Sequence, residues 1–413
     1  MRVTARTSGI VFIMSWIKKI SAADSVVHQA GWVMVDPKAL IHDGFVRVDA
    51  GRITDVGQGR GSFSSDQVIH HGPGVLMPSL VNAHTHLDLC ALKEKTESEA
   101  GFIGWVQSVI QKKDQIGGDA ILQAAQTGID ELKTSGTIIV GDICSSDINP
   151  RFFLDAGLSG VWFKEYLGRF ADEPFVCEKI SDTQTLSVAG HAPHTTSPDL
   201  LIRLKTASRK ALTRFSLHLA ESEDEVRFLT TGKGPWADFL TARGIDTSGW
   251  GLTGDNPVNH ADQLGLLDKH TLAVHLVFAD KKDVATLVEK QVHACICARS
   301  NFNLHKRLPD VPMMLQAGLR MCLGTDSLAS NDSLSLFDEM AYLANAFPQI
   351  APREILKMAT INGAHALGFE NFFGHLTPGR RAKMIYVPVL AAEPEQVQEA
   401  IVNAGFSEKI TCI

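Results

Sequence analysis

His84 and His86 stand one residue apart, and in extended backbone alternate side chains leave the same face, so two imidazoles can grip one ion. Further along come His218-Leu-Ala-Glu221, a single His275, and Gly324-Thr-Asp326. Three histidines (His84, His86, His218) and the Asp326 carboxylate make a nitrogen and oxygen donor set suited to one divalent metal, Zn²⁺ ahead of Fe²⁺. Glu221 and His275 then remain for proton transfer, with Asp326 serving both as ligand and as a catalytic hydrogen-bond acceptor. Singly, each residue has an ordinary structural explanation. An H-x-H pair can cap a surface turn, a lone histidine is often buried in a core, and Glu221 could open the acidic segment Glu221–Glu225, where carboxylates favour a helix start.

What turns these residues into a set is their place in the elements around them. From Val75 to about Gly368, apolar strand-like runs alternate with amphipathic stretches such as Ala120–Leu132, Leu200–Leu212, Lys282–Lys290 and Ser333–Ala346. That alternation is the mark of a parallel sheet with helical crossovers. Eight candidate strands end near His84, Asp142, Glu165, His191, His218, His275, Cys297 and Asp326. The expected fold is therefore α/β, a (β/α)8 TIM-like barrel over residues 75–372, in which strand C-terminal ends converge on one catalytic face. Shorter β-like runs lie in 21–74, among them Gly31–Val35 and Phe45–Val48, and again at Lys383–Val387. Residues 21–74 and 373–413 are thus expected to form a small β-sandwich domain from both chain ends. The cluster Gly57-Gln-Gly59-Arg-Gly61 lacks the spacing of a phosphate loop and reads as a turn. Cys295-Ile-Cys297 reads as strand packing.

Taken together, Val75–Leu89 with its His84-Thr-His86, His218-x-x-Glu221, His275 and Gly324-Thr-Asp326 resemble the cytosine/adenosine deaminase branch of the amidohydrolase superfamily, over nearly the whole chain. The resemblance implies metal ligation by His84, His86, His218 and Asp326. It also implies that Glu221 and His275 handle protons while hydroxide displaces an amino group from a heteroaromatic ring. Binuclear members carry a bridging lysine at the end of strand four, where this chain has Gly190-His191, so one metal is expected; Lys164, beside Glu165, is the nearest alternative. The H-x-E and P-C-x-x-C pattern of the cytidine-deaminase fold is absent.

Further matches resemble the aminodeoxyfutalosine deaminases of menaquinone synthesis: Gly104-Trp105-Val-Gln-Ser108-Val109, His191-Ala-Pro-His194 and Ser327-Leu-Ala-Ser330-Asn331. Asp88, Trp105, His191, His194, Ser330 and Asn331 are accordingly the expected substrate contacts. Trp105 would stack on a purine or, equally, fill a gap in the core; Asp88 would accept from ribose hydroxyls, and His191 would bond a sugar or base edge. Relatives often carry tyrosine in place of His194, glutamate in place of Asp88 and aspartate in place of Lys383. The competing readings are a hydrolase of another ring (guanine, cytosine, triazine) and a silent barrel kept as a scaffold. The scaffold reading is disfavoured because no ligand is missing.

Bulk properties fit a small-molecule enzyme. The chain has 413 residues, 45% of them hydrophobic, which is ample for a large core. Its net charge of −7 comes without basic blocks, which argues against nucleic-acid or anionic-membrane partners. A homodimer is left open. Seven scattered cysteines suit a reducing, cytoplasmic setting. No apolar run reaches the ~20 residues that span a bilayer. Arg2 and Arg6 ahead of the apolar run Gly9–Ile17, with Ala22-Ala23 after it, imitate a signal peptide, but Ser15 interrupts the run and Lys18-Lys19 follow it. Residues 1–20 are read instead as a loosely ordered extension, with Met14 a second candidate start and residues 1–13 dispensable.

Overall fold

The computed structural model describes residues 25–59, 67–97, 101–172, 174–250, 254–405 and 410–413; the leader-like stretch and the Arg60-Gly61 end of the Gly57–Gly61 cluster lie outside them. Eight parallel strands follow one another around a barrel: β1 (Leu80–Thr85), β2 (Thr137–Cys144), β3 (Ser159–Tyr166), β4 (Gln184–Gly190), β5 (Phe215–Leu219), β6 (Thr271–His275), β7 (His293–Ile296) and β8 (Arg320–Leu323). Each pairs with its sequence neighbour. The ring closes just beyond β8, where a parallel bridge joins Thr85 to Asp326 and the amides of Thr325 and Asp326 both donate to the His84 carbonyl.

Period-two alternation divides the strand residues between two environments. Val81, Ala83, Ile139, Ile143, Val161, Phe163, Ala189, Leu272, Val274, Cys295 and Cys322 form the barrel interior, with Leu367, Phe369 and Phe373 packed into the same cluster. Phe163 is wholly buried there, a contribution of about 1.5–3 kcal/mol relative to an exposed side chain. Cys295 and Cys297 belong to this packing, as their spacing suggested.

The helices that shape the site are α1 (Gly101–Asp114), α2 (Gly118–Thr134), α3 (Pro198–Lys210), α4 (Glu223–Thr231), α5 (Pro235–Ala242), α6 (Lys281–Glu289), α7 (Ala298–His305) and α8 (Leu336–Ala346). Their sequences dictate their ends. Helix α3 starts on Ser197, whose side chain accepts from the Leu200 amide, with Pro198 and Asp199 in the first turn and Arg209 and Lys210 in the last, which complements the helix dipole. Outward strand residues such as Val188, Phe215 and Leu217 pack against its Leu200, Leu201 and Leu204.

Both chain ends build the second sheet, which has seven strands: Val26–Asp36, Ala39–Asp49, Arg52–Gln58, Gln67–His70, Val75–Pro78, Met384–Val387 and Thr411–Cys412. The run expected as a single barrel strand from Val75 to His84 is therefore two strands. Val75–Pro78 pairs with Trp32–Val33 and with Met384–Val387, and only from Leu80 does the chain enter the barrel. The apolar character is continuous across the break, so the sequence alone does not mark it. Among the described residues, no helix is long and apolar enough to cross a membrane.

Candidate active site

Simple alternation from Val81 and Ala83 would point His84 away from the interior. The β1–β2 ladder slips instead: Asn82 pairs with Val140, but Thr85 pairs with Asp142. This bulge inserts one residue into β1 and turns His84 and His86 inward. Their Nε2 atoms lie 3.2 Å apart, and the His218 Nε2, arriving from β5, lies 3.2 Å from that of His84. Asp326 Oδ1 is 3.6 Å from the His84 Nε2 and 3.5 Å from the His86 Nε2. Ligands held ~2.0–2.1 Å from a tetrahedral ion are separated by about 3.3 Å, so His84, His86 and Asp326 lie close enough to share one cation, with the His218 Nε2 beside that of His84. Several imidazole nitrogens converging at such distances could not all be satisfied by hydrogen bonds to one another, whereas a shared cation accepts a lone pair from each.

Two of these side chains are oriented from behind. The Nδ1–H of His218 donates to the His191 carbonyl at 2.8 Å, leaving Nε2 free. Asp326 Oδ2 accepts from Ser300 Oγ at 2.6 Å and from Ser330 Oγ at 2.7 Å, leaving Oδ1 free. Burial lowers the imidazole pKa of His84 to about 4 and of His218 well below its usual value, so both are neutral and ligand-ready. Burial would raise the Asp326 carboxyl, but the surrounding histidines hold it well below the usual range.

Glu221 and His275 reach the same centre through breaks in strand geometry. His275 is in phase with the outward Ala273, yet its own backbone has φ 77°, which swings its side chain in. Glu221 follows Ala220, whose φ is 50°. Left-handed conformations at residues other than glycine are uncommon, cost about 1–3 kcal/mol each, and cluster at functional sites. The Glu221 Oε1 lies 3.7 Å from the His275 Nε2 and 3.5 Å from the His305 Nε2 on α7. Burial pushes the Glu221 carboxyl up, but His275 and His305 outweigh it and hold the pKa at about 2. The His275 Nδ1 is paired with Asn301 Oδ1 at 2.7 Å, which leaves its Nε2 facing the centre.

Above this floor lies a cavity of about 360 Å³, lined by His86, Glu165, His191, His218, Glu221, His275 and Asp326 on the polar side. Its apolar side is built by Phe102, Trp105, Val106, Trp236, Phe239 and Leu240. Trp105 lines the cavity and also packs: its indole N–H donates to the Ala329 carbonyl and its ring stacks on Phe102. His191 faces the cavity with Nδ1 held by Thr195 Oγ1 at 2.6 Å.

The other expected substrate contacts sit elsewhere. Asp88 is buried beneath the wall, where its Oδ2 takes donors from Lys113, from the amides of Ser145 and Ser146 and from the hydroxyls of both serines. Oδ2 so committed ties α1 to the loop after β2, while Oδ1 is buried without a hydrogen-bond partner. His194 is buried against Trp236, 3.7 Å from Glu225. Asn331 bonds the Thr325 carbonyl and Glu339, supporting the loop that carries Asp326. Lys164 points outward to the Ser146 carbonyl and Asp147, so it does not enter the centre.

Glu165 and His305 escaped the sequence reading as site residues. Glu165 shares the inward phase of Val161 and Phe163, a signal that alternation along β3 carried. Its Oε1 is buried without a hydrogen-bond partner, and burial pushes the carboxyl pKa up to about 8. His305 offered no such signal, being brought in by a helix.

A family model described as the amidohydrolase family matches residues 75–412. The 5-methylthioadenosine/S-adenosylhomocysteine deaminase of Moorella thermoacetica is 29% identical over 392 residues, covering 89% of this chain and 87% of that protein. Helicobacter pylori aminofutalosine deaminase superposes with a TM-score of 0.79 at 22% identity, over 92% of this chain and 96% of that one. An adenosine deaminase from Xanthomonas campestris with bound zinc does so with a TM-score of 0.76 at 21% identity, over 94% and 91%. With the family model matching far more than half its length, the chain belongs to the amidohydrolase family.

Proposed function

We propose that this chain is a hydrolytic deaminase of an aminopurine nucleoside, adenosine-like or aminodeoxyfutalosine-like, using one Zn²⁺ held by His84, His86, His218 and Asp326. The observation that carries the reading is the placement of Glu221 and His275, 3.7 Å apart, beside the His84, His86, His218 and Asp326 side chains at the cavity floor. A divalent cation held by those residues would supply a bound water acidic enough to attack near neutral pH. Glu221 takes the proton of the attacking water and returns it to the ring nitrogen beside the amino-bearing carbon, which becomes electrophilic. The His275 Nε2, fixed by Asn301, bonds the oxygen as it adds to the ring. Glu221 then takes the remaining hydroxyl proton of the adduct and passes it to the amino group, so that the C–N bond breaks, ammonia leaves and the ring retains a carbonyl.

The nucleoside preference is supported by the names of the relatives and by the cavity's aromatic and aliphatic wall, which suits a flat base with an apolar substituent. The test is ammonia release from a panel of adenosine, 5′-alkylthio adenosines, aminodeoxyfutalosine, guanine, cytosine and aminotriazines. Turnover of the nucleosides supports the reading; turnover confined to free bases or triazines overturns it.

A further inference from the structure

Helix α4 begins with the pattern Ser222-Glu-Asp-Glu225, and the Ser222 Oγ accepts from the Glu225 amide at 3.1 Å, as one half of a capping box does. The other half is diverted. In the usual box the acidic side chain returns to the amide of the capping residue; here it reaches further back. Glu225 Oε1 accepts from the Ala220 amide at 3.1 Å and Oε2 accepts from the Glu221 amide at 2.7 Å. These two peptides flank the left-handed turn at Ala220 that brings Glu221 out of strand phase and into the cavity. Glu225 is itself fully buried and lies outside the cavity wall, and the His194 Nδ1 stands 3.7 Å from its Oε1.

We propose that Glu225 is a positioning residue that aims Glu221. Charge-assisted bonds to two consecutive amides hold a backbone conformation that Ala220 would not keep by preference. The Glu221 carboxylate is thereby fixed between His275 and His305. Loss of the clamp lets the turn relax, and displacements of about 1 Å in a proton-transfer group are enough to cost on the order of 10² in rate. The inference rests on the proposed role of Glu221 as the proton shuttle.

The test is a double-variant cycle. Glu225→Gln keeps the volume but offers one acceptor oxygen and sets an NH₂ group against the second amide. Expected are full metal content, KM within a few-fold of the parent, and kcat lower by roughly ten- to a hundred-fold. In a Glu221→Gln background the same change is expected to leave the residual rate within about two-fold, because residues that act as a unit are not additive. An equal loss in both backgrounds, or a parent-like kcat for Glu225→Gln, overturns the inference. Where Glu225→Gln does not fold, Glu225→Asp, which keeps the charge but falls one methylene short of both amides, is read by the same criteria. A parent-like rate for Glu221→Gln alone overturns the shuttle assignment instead, and is measured first.

Discussion

The hydroxyl of Ser330 stands 2.7 Å from Oδ2 of Asp326, on the side of the carboxylate turned away from the three histidines. With Ser300 at 2.6 Å from the same oxygen, it settles which oxygen is presented to a cation. Within Ser327-Leu-Ala-Ser330-Asn331, expected from its resemblance to touch substrate, Ser330 bonds the Asp326 carboxylate while Ser327 lines the cavity.

Ser300→Ala with Ser330→Ala should therefore weaken zinc binding by about 10–100-fold, the usual cost of losing partners behind a ligand. Competition against a chelator reads the affinity directly. Once saturated with zinc, the variant should show a nearly unchanged KM. A raised KM with parent-like zinc affinity would return Ser330 to the substrate.

Glu221 is asked to move protons and not to hold metal. Glu221→Gln should keep one metal per chain while kcat falls by on the order of 10²–10⁴. His218→Ala, which removes an Nε2 donor 3.2 Å from that of His84, should lose metal and activity together. Elemental analysis beside steady-state rates separates the two outcomes. Metal loss in Glu221→Gln would make that residue a ligand.

The site was legible in the sequence to the extent that strand ends reveal it. Residue type and spacing picked out His84, His86, His218 and Asp326, which the fold brings near one another, because histidines at alternate positions and carboxylates at strand termini are local patterns. Phase was not local. The bulge between Asn82 and Thr85 and the left-handed backbone of Ala220 and His275 decide which side chains enter the barrel, and neither has a glycine or proline to mark it. Asp88 illustrates the converse. The resemblance suggested a ribose acceptor, but the partners of its Oδ2, Lys113, Ser145 and Ser146, come from α1 and the loop after β2, distant in sequence. The split of Val75–His84 between two sheets was hidden in the same way, since both halves are equally apolar.

Gly324 has a steric reason for its place in Gly324-Thr-Asp326. A Cβ there would meet the His84 carbonyl oxygen at 2.7 Å, the Cys295 Sγ at 2.8 Å and the His84 Cβ at 2.9 Å. The first contact is with the backbone at the barrel's closing point, which cannot step aside without moving His84. Gly324→Ala should destabilise the fold by roughly 1–3 kcal/mol, as overpacking does, and loosen metal binding as well. Thermal melts with and without added zinc check both. A parent-like melting temperature and zinc affinity would mean that β1 yields more freely than its hydrogen bonds suggest.

Glu165 gives the sharpest separation between stability and use. Its Oε1 is buried without a partner at the cavity wall, next to His191, and an unsatisfied buried polar atom costs about 1–3 kcal/mol, or more when charged. A cost of that size at a cavity wall makes sense if the substrate supplies the missing hydrogen bond. Glu165→Leu should then raise the melting temperature of the substrate-free protein, while Glu165→Gln and Glu165→Leu both lower kcat/KM by tenfold or more, chiefly through KM. Metal content should stay at parent level, because the His218 Nδ1 already donates to the His191 carbonyl at 2.8 Å and stands 3.7 Å from Glu165. Calorimetric melts, elemental analysis and kinetics on the same preparations decide the matter. If zinc affinity falls and KM does not move, Glu165 serves His218 electrostatically, and the substrate contact must be sought at His191 alone.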